Sequence, residues 1–198
     1  MKIPVLAILA IAGAAAIGLV SVRGMATFSS NRQKPITVEY ANTYFKAPPP
    51  SLDGMIADAD LVVVGRLVGG DGRYEPDGIH VLTSHRVKVT EVIHIKSGLT
   101  PPGEELMFVR NGGDIDEGTR VKRVVEDGFP ALANGHQYVL FLFWNRALGA
   151  WKPAFGPDSV LDVTSGKVLS PGQSKITDEL RGKDATELMD SLRRESGR

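Results

Sequence analysis

Apolar and polar residues alternate with different periods along this chain, and each change of period marks a change of structure. From Ile3 to Val22 there is no charge; twenty residues at about 1.5 Å rise cover about 30 Å, the hydrocarbon thickness of a bilayer. This stretch predicts an N-terminal membrane segment. Small residues at Gly24 and Ala26 also suit cleavage after Ala26, so residues 1–26 read as either a signal peptide or a retained anchor. Residues 27–50 are polar and end in "KAPPPS", whose prolines lack amide donors and favour an extended spacer. They predict a linker, with a single folded domain over residues 51–198.

Within that domain, Leu52, Met55, Ile56 and Ala59 recur at helical spacing behind Ser51, a good N-cap, and predict a short helix. The period then shortens. "LVVVGRLV", Leu61 to Val68, is β-branched and predicts a strand that ends in the loop "GGDGRYEPDG". In "HVLTSHRVKVTEVIHI" the residues Val81, Thr83, His85, Val87, Val89, Glu91, Ile93 and Ile95 share one parity, which predicts a long strand. "ELMFVR" returns the chain, "NGGDIDEGT" reads as a loop, and "RVKRVVE", "YVLFLFW", "WKPAFG", "SVLDV" and "VLS" read as further strands. Last, Asp184 caps a helix over 184–194 whose stripe is Ala185, Leu188, Met189 and Leu192.

"YVLFLFW", Tyr138 to Trp144, is apolar on both faces. An exposed edge strand would alternate, whereas a strand in a closed sheet with a helix across its outer side is buried twice. The fold class predicted is therefore mainly β, an antiparallel barrel or closed sheet of five to seven strands. A short N-terminal helix and a C-terminal amphipathic helix cover it, and the membrane segment precedes it.

The succession "ADLVVVGRLV", "HRVKVTEVIHIKSG", "NGG", "YVLFL" and "KPAFG", over about Ala59 to Gly156, resembles small exported bacterial proteins with an OB-like β-barrel. It is more distantly similar to the barrel of tissue inhibitors of metalloproteinases. The resemblance implies the fold. Those inhibitors act through an amino-terminal cysteine and disulfides, and this chain has no cysteine, so their activity is not implied.

Charge changes the picture by exclusion. Lysine plus arginine and aspartate plus glutamate number 23 each; residues 1–26 hold only Lys2 and Arg23 among them, so the remainder has 21 against 23, a net charge of minus two. The signs alternate along the chain, which argues against a nucleic-acid partner. Without cysteine, a thiolate zinc site, a cysteine nucleophile and a disulfide framework are all ruled out. None of the common nucleophile-elbow, phosphate-loop, dinucleotide or zinc-helix motifs occurs.

Two loops carry the remaining candidate chemistry. Asp114, Asp116 and Glu117 in "DIDEG" could hold calcium through oxygen ligands, although the EF-hand spacing is missing. Asp71, Glu75 and Asp77 in "DGRYEPDG" could supply carboxylates for acid–base chemistry if the fold brings the two loops into one cleft. The four histidines, His80, His85, His94 and His136, are spread along strands and a turn and read as solvated or core-edge residues. The function expected is a noncatalytic, extracytoplasmic binding or interaction module without a cofactor, its partner an envelope protein or ligand. It would be anchored in the inner membrane through residues 3–22 and face outward, or be periplasmic or secreted after cleavage near Ala26. The alternative is an envelope hydrolase using the loop carboxylates.

Overall fold

The computed structural model describes residues 34–41, 45–74, 81–126 and 128–197. The membrane segment expected at residues 3–22, with Glu75, Asp77 and His80, lies outside them. Among the described residues no helix is long and apolar enough to cross a membrane. The fold is mainly β, with two sheets and three α-helices.

In chain order the elements are β1 (Ile36–Ala41), α1 (Leu52–Asp58), β2 (Leu61–Tyr74), β3 (Val81–Ile95), β4 (Glu105–Asn111), β5 (Gly113–Asp116), β6 (Val121–Glu126), β7 (Gln137–Asn145), β8 (Ala150–Pro153), β9 (Val160–Asp162), α2 (Lys175–Leu180) and α3 (Ala185–Ser196). The larger sheet runs β2-β3-β4-β8-β7-β9, and β2 also pairs with β7. Five of its strands therefore return on themselves, with antiparallel neighbours except for the single parallel bridge Phe108↔Trp151 between β4 and β8. The smaller sheet, β1-β6-β5, joins β1 to β6 in parallel and β6 to β5 antiparallel.

The two-sided apolarity of β7 is explained by two separate cores. Leu140 and Leu142 pack with Leu61, Val63, Leu106 and Phe108 on one side. Val139 and Phe141, on the other, pack with Val62 and Val64 under Met55 and Ile56 of α1, Ile176 and Leu180 of α2, and Leu188 and Leu192 of α3. Each helix starts at a side-chain cap. Ser51 accepts from the Gly54 amide, Ser174 from Thr177 and Asp184 from Thr186, which satisfies amides that the first turn leaves open.

Four expectations change. The compact unit begins at Lys34, so the linker expected over 27–50 contributes β1, whose partner strand lies some eighty residues on. Strand β2 extends through Gly69–Tyr74 into what reads as loop, pairing with Val81–Arg86 of β3 across a register shift near Gly69. "GDID" is strand β5, because Asp114 lies directly opposite Arg123 and Ile115 opposite Lys122, and opposite charges at paired positions stabilise a ladder. Conversely, "VLS" forms only the isolated bridge Asp162↔Leu169.

Candidate functional site

The inward side of β3 and β4 changes character along its length. Val87 and Leu106 belong to an apolar core, but the residues that follow toward the far end are His85, Thr83 and Arg110, all buried. The pairings His85↔Phe108 and Thr83↔Arg110 set them side by side, and Gly70 and Gly72 of β2 lie opposite His85 and Thr83. Those glycines make room: a Cβ at Gly72 would collide with the Asp114 carbonyl of β5, and one at Gly113, where φ is +132°, would overlap the Thr83 hydroxyl. Beside these close contacts lies a cavity of about 400 Å³ lined by Thr83, His85, Arg110, Asp114, Arg123 and Leu132 among others.

The side chains in this lining divide into those with partners and those without. Thr83 Oγ1 donates to the Gly112 carbonyl at 2.6 Å. Arg110 donates through Nη1 to the Pro130 carbonyl at 2.6 Å and lies 4.5 Å from the Phe129 ring centre. Its Nε finds no hydrogen-bond partner, nor does either ring nitrogen of His85, although His85 is only 6 % exposed and Arg110 7 %. His85 stacks on Phe108, ring centres 5.0 Å apart. Burial, reinforced by the Arg110 charge, pushes the His85 pKa down to about 4, so at neutral pH the ring is uncharged, with one N–H donor and one acceptor nitrogen. Burial likewise lowers the Arg110 guanidinium, and the charge of buried Glu126 works against that. Unpartnered buried polar atoms cost about 1–3 kcal/mol each, and three of them meet here.

Arg110 and Glu126 also form part of the wall of a second cavity, about 280 Å³, with Phe45, Asn111, Phe143 and Lys152. Lys152 there donates to Asn111 Oδ1 at 3.1 Å. Arg110 thus stands between two openings.

The carboxylates singled out from sequence are placed differently from that reading. Asp114 accepts a two-pronged bond from Arg123 at 2.7 and 2.6 Å, Asp116 binds Lys34 through both oxygens, and Glu117 pairs with Arg120. The Arg123 hydrogen bonds hold the Asp114 carboxyl below its usual range, and the Lys34 bond does the same for Asp116. Each calcium candidate therefore already has a cation. Among the described residues no three His, Asp or Glu side chains converge as metal ligands. The two loops do share one end of the fold, since Gly72 abuts Asp114, but the Asp71 side chain is exposed and a carboxyl held low is a poor proton donor.

Of the described histidines His85 alone departs from expectation, since His94 and His136 are partly exposed. His85 is an interior residue. His136 Nδ1 lies 2.6 Å from Asp162 Oδ2 and ties the Asn134–Gly135 turn to β9. Burial works to raise the Asp162 carboxyl, but hydrogen bonds from His136 and Thr164 outweigh it and hold it low. The Thr164 hydroxyl accepts from the Gln137 amide and donates to the Gln137 carbonyl, so it is engaged with backbone and is not offered as a nucleophile. Sequence reading missed Arg110 and Glu126 altogether. One signal was present: Arg110 follows Leu106 and Phe108 on the same parity of "ELMFVR", where an apolar residue would continue the core. Compared with known protein families and with curated proteins, the chain matches none.

Proposed function

We propose that this chain is a noncatalytic binding module that works outside the cytoplasmic membrane, and that its ligand occupies the cavity at the polar end of an OB-like barrel. The barrel reading rests on the pairing order: five strands in a ring, with the third and fifth running parallel, agree with a small closed barrel of that kind. The observation that carries the binding reading is the polar lining of a cavity of about 400 Å³, where Thr83, His85 and Arg110 stand in place of the apolar side chains that fill the rest of the ring. A core built for stability alone would place apolar side chains there, and barrel mouths with a few convergent polar groups are common ligand sites. Export is supported by the uncharged run Ile3–Val22.

The hydrolase reading retains one supporting observation, the proximity of Gly72 and Asp114 that brings both loops to one end. A paired experiment separates the two. Purified chain should turn over no peptide, glycan, ester or phosphoester above a heat-killed control, while Leu132→Trp, which fills the cavity, abolishes retention of small molecules from an envelope extract. Turnover that disappears in Asp114→Asn would favour the hydrolase. Retention unchanged by Leu132→Trp would remove the cavity from the account.

A further inference from the structure

The outward face of the smaller sheet is apolar along β1 and, apart from Arg123, along β6, while β5 adds Asp114 and Asp116 to it. On β1, Ile36, Val38 and Tyr40 alternate onto one side and are 53, 46 and 77 % exposed. The parallel register sets Val121, Arg123 and Val125 of β6 beside them. The opposite side of the sheet carries Ile115 and Glu126, both buried, so the face with Val38 and Tyr40 is the outer one, and its Asp114 and Arg123 edge borders the cavity. The charges on it cancel: Arg123 binds Asp114 on the neighbouring strand at 2.6 Å, and Lys34 binds Asp116.

We propose that this face, centred on Val38 and Tyr40, rests on the lipid bilayer into which the same chain is anchored. The proposal rests on the anchor reading of Ile3–Val22. Fourteen positions separate Val22 from Ile36, a reach of at most about 50 Å, and β1 is the described element nearest in sequence to that run. Tyrosine suits the bilayer interface, with its ring in the acyl boundary and its hydroxyl among headgroups. A net-neutral face needs no anionic lipid.

Size decides against a second copy as the occupant. Six residues at about 3.3 Å, across three strands about 4.8 Å apart, present about 300 Å², whereas a stable protein interface buries about 800 Å² per partner. A tethered face needs far less area, because the anchor already keeps it at high effective concentration.

The absence of cysteine makes the test clean. Val38→Cys, Tyr40→Cys and, as a remote control, Leu148→Cys in the β7–β8 turn are each labelled with a polarity-sensitive fluorophore. The full chain is then reconstituted in phosphatidylcholine vesicles. The expected result is blue-shifted emission, quenched by nitroxide-labelled lipid, at 38 and 40 but not at 148, with quenching at 40 lost when Val38→Asp is added. Water-like emission at 38 and 40 in a chain that floats with the vesicles overturns the docking face while sparing the anchor. A chain that does not float overturns the anchor reading, and the proposal with it. A lipid-free blue shift that grows with protein concentration assigns the face to a second copy and overturns the bilayer.

Discussion

The two ends of the strand ring are built from the same strands and differ in what they leave unsatisfied. At one end Leu61, Val63, Leu106, Leu140 and Leu142 fill the inward side with fully apolar groups. At the other, one or two pleats along β3 and β4, Thr83, His85 and Arg110 take the equivalent places, with Glu126 buried beside Arg110. The first arrangement stabilises. The second puts buried polar side chains, three of their nitrogens without partners, in the wall of a cavity, a pattern found where binding competes with stability.

The contrast predicts opposite responses to substitution at the two ends. Leu140→Ala should destabilise the domain by about 2–5 kcal/mol in urea unfolding, since Leu140 is fully buried and truncation leaves a void. A loss below about 1 kcal/mol would mean that the apolar end is not the structural core.

Acid should act on the polar end next. His85 has its pKa depressed to about 4 in the folded protein against an ordinary 6.5, so between those values the unfolded chain binds a proton that the folded one does not. Stability is therefore complete above about pH 6.5 and falls as the pH drops, by about 3 kcal/mol at pH 4. Urea midpoints measured across that window should show the slope in the native chain and its loss in His85→Leu. At pH 7 the same variant should raise stability by about 1–2 kcal/mol, because it removes two unpartnered buried nitrogens. A destabilised His85→Leu would mean that the ring is an ordinary packed core residue.

The smallest effect belongs to the surface. Asp114→Asn breaks the two-pronged bond to Arg123, but both side chains are nearly half exposed, and the cost should stay within about 1 kcal/mol. A larger loss would mark the β5–β6 pair as a structural clamp.

How much of this could be read from sequence depends on whether the deciding interaction is local. The two-sided burial of "YVLFLFW" and the Asp184 cap of α3 are set by residues within one strand or one turn, and both were legible. So was α2, had Ser174 been read as a cap for Ile176 and Leu180 at i, i+4 spacing. Strand β1 was passed over although "ITVEYA" alternates apolar and polar residues as a strand does; what the sequence does not show is the parallel partner far along the chain that holds it. "GDID" looks like a cation loop until Arg123 is placed opposite Asp114. The parity Val81, Thr83, His85, Val87 was visible, but nothing local says that this face turns inward, and the candidate site depended on that.

The most direct measurement compares native chain and His85→Leu after equilibrium dialysis against small molecules extracted from the envelope, with mass spectrometry of what each retains. A binding site at the polar end predicts that at least one compound is enriched by the native chain and lost from the folded, more stable variant. Identical profiles from the two proteins would contradict it.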